Sequence, residues 1–405
     1  MSVNTPALNR LETLRESATA GAPGKRSQSE RLPHICFVAP EAWPILSGSQ
    51  DSKFIGGAEV QQSILARALA ASGYEVSMIC LDYGQPARVR LDGITVIKTY
   101  RPDEGIPVLR FLQPRFTAMW RAMGEADADV YYCRCASVLA GFGAAFCRRH
   151  GRRSIYAGAS DVDFVPGKQQ IQYRRDRWIF EYGLRRVDAI VVQNRTQYAN
   201  CLAHYSREAV VIPSCYQPAA TARADPRGCI LWAGAIRPYK CPEAFLDIAR
   251  RLPALRFVMV GGTGGDDGAG EHYYRSIERE ARALANVEFT GFVPFSRIEP
   301  YFDRAAVVVN TSVYEGFPNT FLQAWARGVP SVALVDIGSR HEGEPVCATA
   351  ADAREAAAEI ERLMVDPGRW RRASRRCREY FNANHSVEAV VAQYARLFAA
   401  LSAKT

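Results

Sequence analysis

The sequence predicts an α/β fold in which one plan, a parallel sheet covered by helices on both faces, is used twice. Three observations predict it. Short apolar runs of strand length alternate with helical patterns along most of the 405 residues, the mark of parallel strands buried on both sides. Around Ser214 to Gly228 the composition shifts to Pro, Ala, Thr and Arg, and the alternation then restarts. No short-period repeat is present; what recurs is a whole domain plan. With 48% hydrophobic residues the chain can fill full cores, and its length points to two to three domains.

Residues 1–30 are rich in Ala, Ser, Thr and Gly without a sustained pattern and read as a disordered tail. The first strand is the apolar run in His34 to Pro40. After a loop from Asp51 to Gly57, Val60, Ile64, Leu65, Ala68 and Leu69 recur at helical spacing, predicting a helix over 58–72 that Gly73 stops. Strand-like runs follow at 75–81, 94–98, 130–133, 154–157, 189–193 and 210–213. In the second half, strands are expected at 229–233, 257–260, 287–290, 307–310 and 331–335. Helices are expected at 242–252, 271–284, 296–302, 352–364 and 387–401, with an Arg-rich stretch between the last two.

No apolar run approaches the length of a membrane span, and the start lacks a signal-peptide pattern. The eleven cysteines include no pair at metal-ligand spacing; an odd count without a secretory signal favours reduced thiols in a cytoplasm. The formal net charge of +9 comes mostly from Arg. The densest cluster is Arg369, Arg371, Arg372, Arg375, Arg376 and Arg378; in a helix, Arg372, Arg375 and Arg376 share a face. Such a face either contacts anionic lipid, giving a peripheral place at the inner side of a membrane, or is simply solvated. Nucleic acid is not an expected partner, because no binding motif and no aromatic interleaving are present.

The most informative stretch is Thr311 to Gly328, TSVYEGFPNTFLQAWARG. An apolar run, Val307 to Asn310, leads into a Gly-Phe-Pro turn that carries Glu315. The turn opens a helix at Pro318-Asn319-Thr320. The first amides of a helix lack partners within it, and the dipole favours negative charge there, so this geometry binds anions. A carboxylate beside a phosphate cradle suits a ligand with both phosphate and hydroxyl groups, such as a nucleotide sugar. The alternative is an ordinary strand–turn–helix with an N-terminal proline.

The stretch resembles the Glu-x7-Glu signature of retaining glycosyltransferases of family-4 type, commonly E-G-F-x-N-x-x-L-E-A. The resemblance implies that Glu315 touches the donor sugar and that Gly316, Phe317, Pro318, Asn319 and Thr320 hold the diphosphate. Gln323 stands where the family has a second Glu for the ribose hydroxyls; it still donates and accepts hydrogen bonds but is neutral. The resemblance also implies the GT-B architecture: two doubly wound Rossmann-like domains facing a central cleft, the final helix crossing back to the first domain. On this reading 31–215 form the N-terminal acceptor domain, 216–385 the C-terminal nucleotide-sugar domain, and 386–405 the returning helix.

Other segments take their places in that pattern. Phe54 to Glu59, with Gly56 and Gly57, is similar to the family's G-G-x-E loop, where glycines allow backbone to approach the donor closely. Trp232 to Lys240 matches the segment whose Lys follows its Gly by six residues. Lys240 fills that place. Ala235 occupies the usual Arg position and Arg237 lies two residues on. Two cations there would hold the leaving diphosphate and offset its developing charge. Val260-Gly261-Gly262 is expected to line the nucleotide site, and Gly291-Phe292-Val293-Pro294 resembles a loop that meets the base through its backbone. After strand 154–157 the family usually has a His. Here Gly158-Ala159-Ser160-Asp161-Val162-Asp163 has none, leaving Ser160 or Asp161 for the sugar contact, unless Asp161 only caps the turn. Arg134 is a further candidate, for an acidic acceptor.

Together these readings imply a metal-independent retaining transferase with no cofactor beyond its nucleoside-diphosphate sugar. The acceptor hydroxyl attacks on the face the diphosphate leaves, and the leaving phosphate serves as base. No glycosidase-type carboxylate pair is then needed, and Lys240 and Arg237 replace a divalent ion. The acceptor would be a glycan, lipid-linked or small-molecule hydroxyl, in polysaccharide or glycoconjugate synthesis. Two other classes compete: a nucleotide-sugar-binding scaffold that has lost turnover, motivated by Ala235, Gln323 and the absent His, and another nucleotide-sugar reaction such as epimerisation or phosphorolysis.

Overall fold

Short runs of wholly buried apolar residues set the architecture. A computed structural model describes residues 31–48, 56–105, 111–218, 224–263 and 268–403. The expected tail at 1–30, and Phe54 and Ile55 of the glycine loop, lie outside them.

The first sheet is built from β1 (Ile35–Val38), β2 (Val76–Cys80), β3 (Arg88–Leu91), β4 (Ile94–Lys98), β5 (Val130–Arg134), β6 (Arg153–Ala157), β7 (Ala189–Val192) and β8 (Val210–Val211). Their order across the sheet is β3-β4-β2-β1-β5-β6-β7-β8. All pair in parallel except β3 with β4. Every residue of β1, β2 and β7 is buried, as a strand with helices on both faces requires. The chain winds outward from β1 to one side and returns on the other at β5. Ligands bind at such a reversal, beyond the carboxyl ends of the strands.

The second sheet repeats this logic. It comprises β9 (Cys229–Ala233), β10 (Phe257–Val260), β11 (Val287–Gly291), β12 (Ala305–Asn310), β13 (Ser331–Ala333) and, after a small hairpin of β14 (Arg340–His341) and β15 (Glu344–Pro345), β16 (Ala348–Thr349). The order is β11-β10-β9-β12-β13-β16, with the reversal between β9 and β12. The loops that follow these two strands are the Gly234 to Lys240 segment and the Thr311 to Pro318 turn. Topology alone therefore brings the two informative motifs to one sheet edge.

The helices form where apolar spacing places them. Helix Gly57–Ala71 buries Val60, Leu65 and Leu69, and helix Asn319–Arg327 buries Phe321, Leu322 and Trp325. Gly328 ends the latter at φ 77°, a left-handed conformation that glycine adopts without a Cβ penalty. The last helix, Val387–Ser402, crosses back to the first sheet: Val390, Tyr394, Leu397, Phe398 and Leu401 share a core with β1, β2 and β4 residues. The Tyr394 and Tyr132 hydroxyls meet at 3.2 Å. Residues Pro33–Thr405 form one compact unit that carries both sheets.

One expectation changes. The helix predicted over 296–302 is a 3-10 turn, Phe295–Arg297, followed by a short α-helix, Glu299–Asp303. Pro300 lacks an amide hydrogen and is accommodated in the first turn of a new helix rather than the interior of a long one. The Arg-rich helix, Pro367–Asn384, spends several cations on its own chain. Arg369 pairs with Glu359 at 2.8 Å, and Arg376 donates to the Pro345 carbonyl at 2.9 Å. All eleven cysteines are free thiols. Among the described residues no helix is long and apolar enough to cross a membrane.

Candidate functional site

Two adjoining cavities open beyond the strand ends. The larger, about 470 Å³, is walled on one side by Gly56, Gly57, Arg134, Ala159 and Ser160, and on the other by Arg237, Lys240, Glu315 and Gly316 to Thr320. The smaller, about 160 Å³, lies among Gly261, Gly262, Phe292, Val293 and Gln323. Gly57, Gly234, Ala235 and Asn319 border both, so the two are continuous. Of the candidate catalytic and donor-binding residues, Asp161 lines neither wall; Gly291 and Pro294, at the ends of the candidate base loop, lie outside both as well.

Glu315 is held from three directions. Lys240 Nζ forms an ion pair with its Oε1, and Asn310 Nδ2 and Ser312 Oγ donate to the same oxygen at 3.1 and 2.7 Å. The pair is largely shielded, with side-chain exposures of 21% for Lys240 and 11% for Glu315. The two loops are stitched further: Thr311 Oγ1 donates to the Lys240 carbonyl at 2.7 Å, and the Val313 amide to the Tyr239 carbonyl at 2.9 Å. The rings of Tyr239 and Tyr314 stack at 5.0 Å and 11°. This aromatic platform beside Lys240 was not foreseen. Only the two loops' pairing, which no local pattern encodes, creates it.

The helix that begins after Pro318 has no side-chain cap at its start; the Phe321 amide turns back to the Pro318 carbonyl at 3.0 Å, and the amides before it are those a ligand can meet. Gln323, one turn in, is only 3% exposed, and its Nε2 has no hydrogen-bond partner. A buried donor left unmade costs about 1–3 kcal/mol. Its place on the wall of the smaller cavity gives that donor a target in a bound hydroxyl.

The opposite wall is braced by a chain of polar groups. Arg134 Nη2 donates to Ser214 Oγ at 3.1 Å, Ser214 Oγ to Gln193 Oε1 at 2.9 Å, and Gln193 Nε2 to the carbonyls of Gly158 and Ala159 at 3.0 and 3.1 Å. Asp163 closes the turn from below, accepting from the amides of Ala159 and Ser160 at 2.8 and 3.2 Å. Asp161 is occupied elsewhere: its Oδ1 accepts from Asn194 Nδ2 at 3.0 Å. Burial raises its pKa above the usual carboxylate value. The same Asn194 nitrogen reaches the Gly316 carbonyl at 3.2 Å. Asp161 thus orients a residue that spans the cleft, while Ser160 faces the space itself.

Glu59 sits at the start of its helix beside Glu41 and Arg134. Burial, and then Glu41, push its pKa up. Gly316 approaches the first sheet closely: a Cβ there would lie 2.9 Å from the Ala159 carbonyl oxygen. Asn319 crosses in the same way, its Nδ2 donating to the Gly57 carbonyl at 3.1 Å and its Oδ1 accepting from Gln61 Nε2 at 3.0 Å. Among the described residues no cluster of His, Cys, Asp and Glu is arranged to hold a metal ion.

The chain matches two protein families: residues 56–215 a glycosyl transferase 4-like domain, and residues 227–366 the glycosyl transferases of group 1. It is 29% identical over 177 residues to a D-inositol 3-phosphate glycosyltransferase of Geodermatophilus obscurus. That match spans 41% of this chain and 39% of the relative's own length. Among solved structures, a sucrose-phosphate synthase from Thermosynechococcus elongatus superposes with a TM-score of 0.73 at 19% identity, over 92% of this chain and all (100%) of that one. An Anabaena protein, HepE, solved in complex with UDP and glucose, superposes with a TM-score of 0.65 at 15% identity, over 91% of this chain and 100% of its own.

Proposed function

For a chain that belongs to the group 1, family-4 type glycosyltransferases and has the GT-B fold, we propose that it transfers a sugar from a nucleoside diphosphate to an acceptor hydroxyl with retention of configuration. One observation carries the reading. Segments far apart in sequence, Gly56–Gly57, Arg237–Lys240 and Glu315–Thr320, converge on one cleft, with an uncapped helix start beside a shielded Lys–Glu pair. The relatives named for glycosyl transfer, and the neighbour that holds UDP and glucose, lend the donor class its weight.

On this reading the diphosphate rests against the amides opened by Pro318, with Lys240 and Arg237 alongside. Gln323 reaches the ribose, and Gly262, Phe292 and Val293 receive the base. Glu315 accepts from hydroxyls of the donor sugar. The acceptor oxygen attacks the anomeric carbon as the bond to the phosphate oxygen breaks, and the departing diphosphate takes the acceptor's proton. Cations fixed in a partly dry cleft stabilise the charge that builds on that oxygen, worth a factor of about 10²–10³ per removed donor group in comparable sites. Metal ions have no required part in this scheme.

A thermal-shift panel of nucleoside diphosphates and their sugars, on wild type and Glu315→Ala, tests it. Binding at a hundredfold excess over Kd adds about 2.7 kcal/mol of stability. The expected result is one nucleotide that raises Tm in both proteins, and a sugar adduct whose additional rise is lost in Glu315→Ala. If no nucleotide shifts Tm, the proposal fails. If the adduct binds and is neither hydrolysed nor transferred, the protein is a nucleotide-sugar-binding scaffold.

A further inference from the structure

A third cavity, about 710 Å³, lies in the first sheet's layer, outside the cleft. Its inner lining is apolar: Phe111, Met119, Leu139 and Phe142, the last two on the helix Val138–His150 that follows β5. Its rim is cationic. Arg115, Arg174 and Arg175 face one carboxylate, Asp176, which pairs with Arg175 at 2.7 Å. Three positive charges against one negative leave a formal +2. The Arg175 guanidinium lies 3.5 Å from the centre of the Phe111 ring. Arg115 Nε is buried without a hydrogen-bond partner. Tyr173, on the rim, is 54% exposed, and Trp178, on the helix Arg174–Arg186, is 69% exposed.

This composition selects a ligand. A cavity of this size that sets apolar side chains against a cluster of charged ones has the form of a small-molecule site for an amphiphilic ligand. A guanidinium whose Nε lacks a hydrogen-bond partner has a donor to offer a phosphate. The cavity also neighbours the transfer cleft along two short stretches of chain. Cys135 lines the cleft and Val138 the cavity; Gln170 lines the cleft and Gln172 the cavity. The cavity and the cleft thus border the same two stretches of chain, 135–138 and 170–172.

We propose that this cavity is the acceptor subsite, and that the acceptor joins an apolar chain to a phosphate. The inference rests on the transferase reading. The chemistry is shared by two sources, a phosphate-bearing lipid of a membrane and a soluble phosphate ester, and the exposed Tyr173 and Trp178 suit the first.

Titration calorimetry with octyl phosphate, octanol and inorganic phosphate tests it, on wild type, Arg115→Gln and Leu139→Trp. Octyl phosphate is expected to bind wild type at least tenfold tighter than either fragment. Each variant is expected to lose at least tenfold in that affinity while binding a nucleoside diphosphate as wild type does, which also reports that it is folded. Saturating octyl phosphate is expected to change the slow hydrolysis of the donor at least twofold in wild type and not in Leu139→Trp. Equal binding by wild type and both variants, or by octyl phosphate and inorganic phosphate, overturns the site. Binding with unchanged donor hydrolysis overturns the acceptor role. Should octyl phosphate bind and no nucleotide do so, the transferase reading fails while the apolar-phosphate site stands. Sedimentation with phosphatidylcholine vesicles, with and without phosphatidic acid, separates the sources. Arg115-dependent capture by the acidic vesicles assigns a membrane lipid. Capture by neither, with octyl phosphate bound, assigns a soluble ester.

Discussion

His385 makes the fold sensitive to acid. It is 1% exposed and sits where the chain leaves helix Pro367–Asn384 for the returning helix. Its Nδ1 lies 2.7 Å from the Ser214 carbonyl, so that nitrogen carries the hydrogen and donates. Nε2 is buried with no partner among the rings of Phe317, Trp325, Tyr380 and Phe381. Protonating Nε2 places a charge in that box with nothing to receive it. Burial accordingly lowers the pKa from 6.5 to about 4.

The sign follows from linkage. Between about pH 6.5 and 4 the unfolded chain holds a proton on this ring and the folded protein does not, so stability falls as the pH drops through that window. At about 1.4 kcal/mol per pH unit, the full difference is about 3 kcal/mol. Urea unfolding of wild type and His385→Phe, from pH 7.5 to 4.5, isolates it. Phenylalanine preserves the aromatic packing but strands the Ser214 carbonyl, so the variant is expected to be the less stable at pH 7.5. The gap is then expected to shrink, and to narrow by about 2–3 kcal/mol by pH 4.5. A gap that stays constant across the range would refute the reasoning, because His385 would then titrate alike in both states.

Three further substitutions probe the cleft. Gln323→Ala removes the buried amide; UDP or whichever nucleotide binds is expected to bind roughly five- to tenfold more weakly, about one hydrogen bond's worth, as read by calorimetry. Unchanged affinity would show that Gln323 does not meet the ligand. Gly316→Ala puts a methyl 2.9 Å from the Ala159 carbonyl. A loss of about 1–3 kcal/mol of stability is expected, with weaker nucleotide-sugar binding, checked by urea midpoints and thermal shift. Glu59→Gln tests the raised carboxyl pKa. A raised folded pKa means that stability present below about pH 4.5 is lost on ionisation. The variant is therefore expected to melt higher than wild type near pH 8, and to converge with it at pH 4.

The sheets were readable because their strands are short, wholly buried apolar runs. Cys229–Ala233 and Phe257–Val260 fall where the pattern puts them. The edge strand Arg88–Leu91 escaped notice: its residues alternate exposed and half-buried, and two of its four are arginines. Its existence depends on the neighbour it pairs with. Glu315, Lys240 and the glycine loop could be singled out because resemblance supplies relationships that a linear pattern lacks. The Arg134–Ser214–Gln193 chain could not be: Arg134 could be picked out as a cation at a strand end, but Ser214 and Gln193 look like ordinary loop and strand-end residues until folding aligns them with it. His385 was one histidine among six; burial by four aromatic rings, from two distant segments, gives it its chemistry.

The turn from Thr311 to Thr320 belongs structurally to both halves of the molecule. Lys240, Tyr239 and Asn310 fasten it to the second sheet. Asn194, Gln61 and the Gly57 carbonyl fasten it to elements of the first. Gln61 also brackets the crossover, giving a hydrogen bond to the Cys215 carbonyl at 3.1 Å and taking one from the Cys215 amide at 3.1 Å. His385 ties Phe317 of the same turn to Ser214. A ligand that draws Lys240 away from Glu315 therefore acts on a turn whose other anchors lie across the cleft. Any resulting shift must be shared with the Ala159–Ser160 turn and the Ser214–Tyr216 crossover. The segment proposed to hold the donor is the one that joins the two sheets, so on that reading donor binding and the relative position of the sheets are mechanically coupled.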